Sequence, residues 1–215
     1  MANLRVDKIT STETFDKTGS VQFDGSGDKL SIPNNVDFRF GSGDFTLEAW
    51  IMVIGPAGDW DTVVGMWDSS ETRRTFSLQR KSDGELYLYV STDGGSSNWA
   101  FAHGGSIETS TWYHVAGVRD GNTLRVFIDG VQVGTATYSD SILNNTTDAL
   151  FIGDVESSDS NAFRGHISNV RVIKGRALYT SNFKPPMREL EVVPGTVLLA
   201  CQSKTDASLE KTGKT

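Results

Sequence analysis

The residues of this chain that could do chemistry are few and widely spaced. Hydrolysis of a glycosidic bond needs two carboxylates flanking the bond at about 5–9.5 Å. On a strand that usually means two acidic residues two positions apart. The clearest strand-like stretch, Phe45–Met52, offers only Glu48, with Thr46 and Trp50 as same-face neighbours. Glu48 therefore reads as a surface or hydrogen-bonded strand residue rather than an acid catalyst. His103, His114 and His166 are too dispersed to spell a metal triad. His114 and His166 fall inside strand-like runs, where a paired structural histidine is the expectation. Gly94-Gly95 and Gly104-Gly105 follow strands but open no helix, and there is no nucleophile elbow. The single cysteine, Cys201, ends the apolar run Val197-Leu198-Leu199-Ala200-Cys201 and reads as a small buried hydrophobe rather than a reactive thiol. No enzyme is expected.

Binding chemistry has better candidates. Sugar recognition needs an exposed aromatic for stacking with planar polar groups beside it. Trp60 and Asp61, in Gly58-Asp59-Trp60-Asp61, and Trp99, after Asn98, are such residues at loop–strand junctions. Ordinary rim packing and protein–protein contact are the competing readings, since aromatics also anchor interfaces. Trp50 and Trp112 lie in strong strands and are expected to pack against a sheet. Asp24 and Asp28 flank a glycine turn that could aim oxygens at calcium. The plainer reading, that they hydrogen-bond their own turn, is preferred. No resident cofactor is expected.

The elements that must position these residues are strands. Val21 and Phe23 alternate with Gln22 and Asp24, and Leu30 and Ile32 repeat the alternation after the turn. In Phe45–Met52 the residues Phe45, Leu47, Ala49 and Ile51 share one face, and Thr46, Glu48, Trp50 and Met52 the other. Strand-like runs recur at Thr62–Trp67, Thr75–Arg80, Leu86–Val90, Tyr113–Val118, Leu124–Ile128, Val131–Val133, Ala149–Ile152, His166–Ile173 and Thr196–Cys201. Asp129-Gly130 joins two of them and predicts a type I′ hairpin, whose central positions want positive φ. The one plausible helical turn is Gly175–Tyr179. Twenty-two glycines, most of them in clusters between these runs, fit a many-turned sheet protein. An all-β sandwich over residues 20–202 follows, with a polar arm at 1–19 and a polar tail at 203–215. The tail reads as solvated, or as a segment that orders on a neighbouring subunit.

Charge and composition exclude several classes. The formal net charge is −7 and the basic residues are scattered, which argues against a nucleic-acid partner. No run approaches the roughly 20 apolar residues of a membrane-spanning helix. One cysteine excludes an intramolecular disulfide, and the opening residues lack a signal-peptide pattern. Synthesis in a reducing cytoplasm is expected.

In order along the chain, several motifs resemble the laminin-G-like, concanavalin A-like jelly rolls. They are Ser20–Gly25, Phe45–Ile51, Trp112–Val118, the hairpin from Leu124 to Gly134, Leu150–Asp154 and Phe163–Val172. The resemblance implies an antiparallel two-sheet jelly roll. Family members with a structural ion commonly carry an acidic residue where this chain has Ser168 and Asn169, which speaks against calcium here. A narrower resemblance covers Ser168–Phe183, then Pro185-Pro186, Leu198–Ser203 and the opening Met1–Ile9. These are similar to the version of the domain found in virion proteins of marine tailed phages, including cyanophages. That resemblance implies a fibre, appendage or capsid-surface protein made in the host cytoplasm. Its partners would be other virion proteins or copies of itself, with adhesion to a host-surface glycan as a further role. The alternative is a lectin-like carbohydrate-binding module, with or without calcium.

Overall fold

The computed structural model describes residues 19–55, 60–67, 73–95, 97–155 and 161–214. Among the described residues thirteen strands follow in chain order: β1 (Val21–Asp24), β2 (Leu30–Ile32), β3 (Phe45–Val53), β4 (Trp60–Met66), β5 (Phe76–Lys81), β6 (Leu86–Ser91), β7 (Trp99–Gly104), β8 (Trp112–Asp120), β9 (Thr123–Ile128), β10 (Val131–Thr137), β11 (Leu150–Ile152), β12 (Arg164–Lys174) and β13 (Thr196–Ala200). They form two antiparallel sheets. One runs β1-β12-β3-β8-β9-β10, with β13 also on β12; the other runs β2-β11-β4-β5-β6-β7. The expected all-β sandwich is the observed architecture.

The alternation read in β3 sets the layers. Phe45, Leu47, Ala49, Ile51 and Val53 are completely buried in the main core with Phe76, Leu78, Leu86, Leu88 and Val90 of the facing sheet. Each of these side chains other than Ala49 contributes about 1.5–3 kcal/mol on leaving water. The Asp129-Gly130 turn has φ of 48° and 75°, and Val131 pairs with Ile128 across it, as the hairpin reading required. Along one side the sheets nearly touch: a Cβ on Gly104 would stand 2.2 Å from the Val133 carbonyl oxygen, and one on Gly134 would stand 2.0 Å from that of His103. Glycine is needed there to let β7 and β10 approach.

On the opposite side, β12 carries two short strands end to end. β1 pairs with Arg164–Ile167 and β13 with Val170–Ile173. Between them the register against β3 shifts, and Asn169 takes a φ of 54°. The Ser168 hydroxyl donates to the Gly19 carbonyl at 2.6 Å. The Asn169 side-chain oxygen accepts from the Leu190 amide (2.9 Å) and Gln202 Nε2 (2.7 Å). These two residues thus tie together the segments that converge on β12.

Three sequence expectations need correction or placement. The helical turn at Gly175–Tyr179 is absent. The chain there crosses β3, and the Thr46 hydroxyl donates to the Arg176 carbonyl and accepts from the Leu178 amide, bonds that a helical turn would have made internally. A short 3-10 turn occurs instead at Val36–Phe38, capped by Asn35, whose side chain accepts from the Asp37 amide. The tail is solvated along 204–209 but anchored at its end: Glu210 accepts from the Leu199, Thr212 and Lys214 amides, and Lys214 pairs with Asp37 at 2.7 Å. Residues 1–18 of the arm lie outside the described residues. Among the described residues no helix is long and apolar enough to cross a membrane.

Candidate functional site

The outer face of the seven-stranded sheet is closed by the chain itself. After β12 the segment 175–191 runs back across β3, β8 and β9, setting Tyr179 and Phe183, stacked at 3.6 Å, over Ala116, Val118 and Phe127. Beneath it lies Glu48, which is buried, not at the surface. Its Oε2 accepts from His114 Nε2 at 3.0 Å and from the Tyr179 hydroxyl at 2.8 Å. Its Oε1 meets Arg171 Nε at 2.8 Å and a terminal guanidinium nitrogen at 2.7 Å. Arg171 also donates to the Glu191 carbonyl at 2.8 Å, clamping the segment down. The carboxylate can only accept, so His114 must carry its proton on Nε2; Nδ1 has no hydrogen-bond partner among the described residues. Burial alone would raise the Glu48 pKa, but His114 and then Arg171 more than offset it and hold the carboxyl below its usual range. Burial and the Glu48 charge push the Tyr179 hydroxyl upward. Every oxygen of this acid is engaged, which is an arrangement for holding rather than for proton transfer to a ligand.

The outer face of the six-stranded sheet is different. In β6 the residues Leu86, Leu88 and Val90 face the core, so Tyr87 and Tyr89 face outward. Cross-strand pairing puts His103 beside Tyr87, Phe101 beside Tyr89 and Trp99 beside Ser91. Trp60 stands edge-on to Tyr87 and Tyr89, and Trp67 stacks near Trp99 with centroids 6.1 Å apart. The tyrosines and Trp67 form a buried bed; on top of it Trp99 and Phe101 remain 39% and 40% exposed. Two cations lie over the rings, Arg74 about 5.4 Å from Trp99 and Lys81 4.8 Å from Trp60. Such contacts hold aromatic planes in place.

The structure brings Trp60 and Trp99 onto this one face, each with its ring centroid 5.4 Å from that of Tyr89. Asp61 does not join them. Neighbouring strand residues point to opposite sides, and Asp61 is buried in an ion pair with Arg80 at 2.9 Å. Asp24 and Asp28 sit in their turn: Asp24 Oδ1 accepts from the Ser26 amide (2.8 Å) and Asp28 Oδ2 from the Asp24 amide (3.2 Å). Among the described residues no group of three His, Cys, Asp or Glu could hold a metal ion. Trp50 packs edge-on to His114, and Trp112 lies beside His166. The sequence reading missed Tyr87, Tyr89, Phe101 and Trp67 as partners of Trp60 and Trp99. The signal was present: aromatics at every second position in Tyr87-Leu88-Tyr89 and Trp99-Ala100-Phe101 mark one face of adjacent strands.

Residues 24–181 match the family profile described as the Concanavalin A-like lectin/glucanases superfamily. The chain belongs to that superfamily. Among curated proteins, pappalysin-1 of Mus musculus is 25% identical over 169 residues, 72% of this chain but 10% of the mouse protein. A putative carbohydrate binding protein from Bacteroides ovatus ATCC 8483 superposes with a TM-score of 0.62 at 18% identity, covering 86% of this chain and 52% of that one. Domain 4 of AbnA, a GH43 extracellular arabinanase from Geobacillus stearothermophilus solved with arabinotriose, has a TM-score of 0.57 at 18% identity, covering 75% and 73%. This superfamily member thus spans about a tenth of the mouse protein and about half of the Bacteroides one. At these identities the solved structures share its fold.

Proposed function

We propose that this chain is a carbohydrate-binding module that holds a glycan on the outer face of its six-stranded sheet, without turnover. The exposed pair Trp99 and Phe101 on a bed of packed aromatics carries the reading. A pyranose ring has an apolar C–H face that suits the negative face of an aromatic ring, and its hydroxyls need nearby polar groups. Lys81 and His103 Nε2, the ring nitrogen that does not meet Glu85, stand at the margin to meet them. Solved relatives of the same fold include proteins named for carbohydrate binding, which supports the reading. The absence of turnover rests on Glu48, the one acid of β3, being fully engaged under the segment 175–191. A glycan array followed by titration calorimetry tests this. Binding that is lost in Trp99→Ala and Phe101→Ala, with the fold intact by circular dichroism, is expected. An array with no binding, or binding indifferent to both substitutions, overturns it.

A virion setting is the second reading, resting on the resemblance of Ser168–Phe183 to phage structural proteins. That stretch is occupied in covering this chain's own sheet, so assembly contacts would have to use other surfaces. Co-sedimentation of the chain with intact particles is the measurement that decides it.

A further inference from the structure

Beside Trp99, at the rim of the sandwich, lies an open cavity of about 530 Å³ lined by Thr92, Ser97, Asn98, Trp99, Tyr138 and Asp140. Its size falls within the range of small-ligand sites, about 300–1,000 Å³. Its walls are fixed from behind. The buried guanidinium of Arg119 donates to the carbonyls of Asp140 (2.9 Å), Gly41 (3.0 Å) and Gly121 (2.9 Å) and lies over the Tyr138 ring. The Thr92 and Tyr138 hydroxyls share a hydrogen bond of 2.8 Å. Asn98 Nδ2 donates to Asp93 at 2.6 Å, which leaves the amide oxygen as an acceptor. The bond from Asn98, with that from the Gly95 amide, holds the Asp93 carboxyl below its usual range, so it is ionised at neutral pH. The Asp140 carboxylate meets no hydrogen-bond donor among the described residues, and its side chain is exposed.

We propose that this cavity is the terminal subsite of the aromatic face, taking the end residue of a neutral glycan whose following residues lie on Trp99 and Phe101. The inference rests on the carbohydrate-binding reading and adds a substrate class to it. Free acceptors at Asp140 and Asn98 suit sugar hydroxyls, which donate. A carboxylated or sulfated end would bring a further negative charge to a rim that already carries Asp93 and Asp140. Of the cations beside that rim, Arg119 is committed to backbone carbonyls and Arg74 lies over the Trp67 and Trp99 rings. The preformed walls limit the ordering cost of binding.

Calorimetry with neutral oligosaccharides, from disaccharides to hexaoses of gluco-, manno-, xylo- and arabino-series, and with sialyllactose, tests this. The wild-type chain is expected to bind a neutral series and not sialyllactose. Asp140→Ala is expected to weaken that binding about tenfold or more, a loss of about 1.4 kcal/mol, and Asn98→Ala to weaken it less. Circular dichroism should be unchanged and the melting temperature nearly so, because both side chains are exposed and the one bond lost is the exposed Asn98–Asp93 contact. If Trp99→Ala loses binding while Asp140→Ala and Asn98→Ala keep wild-type affinity, the terminal subsite is wrong and the glycan face stands. Preference for sialyllactose would likewise overturn the neutral subsite and leave the glycan face standing. If no probe binds the wild-type chain, both ideas fall.

Discussion

The two outer faces of this sandwich solve the same problem in opposite ways. Each is one side of a sheet whose other side makes the core, and each carries residues too large to leave bare. On the seven-stranded sheet the chain folds back, and the ionised Glu48 is matched by His114, Arg171 and Tyr179 under a lid of aromatic rings. On the six-stranded sheet the aromatics pack on each other, and the last layer, Trp99 and Phe101, stays open to solvent. A buried charge must be fully partnered, because an unpartnered one is costly. An aromatic ring half in water costs little and needs no cover. Closure therefore marks the face that stabilises, and openness the face on which the glycan proposal rests.

The contrast can be broken at several points. Glu48→Ala should have the largest effect. It strands a buried guanidinium, an imidazole N–H and a phenol, and should destabilise by about 3–5 kcal/mol in urea denaturation. The same group predicts the acid response. Its folded pKa is depressed, so its stabilising share is complete above the unfolded value of about 4.3 and is lost as pH falls through the lower folded value. The denaturation midpoint should drop across that window in the wild-type chain and drop less in Glu48→Gln. An equal slope in both would remove Glu48 from the account.

Gly130→Ala comes next. The position has a φ of 75°, and a Cβ would stand 2.0 Å from the Phe183 carbonyl oxygen. Strain of this kind costs about 1–3 kcal/mol, and here the hairpin turn and the lid must give way together. Increased binding of a hydrophobic dye, alongside the lower melting temperature, would show that the lid has loosened.

Substitution on the open face should show the reverse balance. Phe101→Ala is expected to change stability by no more than about 1 kcal/mol while removing most glycan affinity. A large stability loss would mean that this face is structural too. The smallest effect is expected at the Asp24–Asp28 turn. Asp28→Ala, with or without calcium or chelator, should leave stability within about 0.5 kcal/mol of wild type, read from the melting temperature, since the Asp28 carboxylate only accepts a 3.2 Å bond from the Asp24 amide at an exposed turn.

How much of this could be read beforehand depended on whether the deciding contact was local. The alternation in Phe45–Met52 and the positive-φ turn at Asp129-Gly130 are local, and both were legible. β7 was not, because its pattern is inverted: small Ala100 and Ala102 face inward while Trp99, Phe101 and His103 face outward. Glu48 was placed correctly on the outer side of β3, yet its burial depends on Arg171 and Tyr179, which come from far along the chain. Trp60 and Trp99 were singled out one at a time. Only the intervening Tyr87 and Tyr89 of β6 make them one surface. Asp61 looked like their companion in sequence, and the two-residue period of the strand turned it away.

β12 has a consequence for how the molecule is made. It is the shared partner of β1, β3 and β13, and its pairing with β3 joins Phe45 to Lys174. During synthesis, the hairpins from β4 to β7 and from β8 to β10 can close as they leave the ribosome, but one edge of β3 stays bare until β12 arrives. Domains built on such distant pairings fold on the order of milliseconds to seconds. A chain stopped before Arg164 would keep that apolar edge exposed and be prone to aggregate.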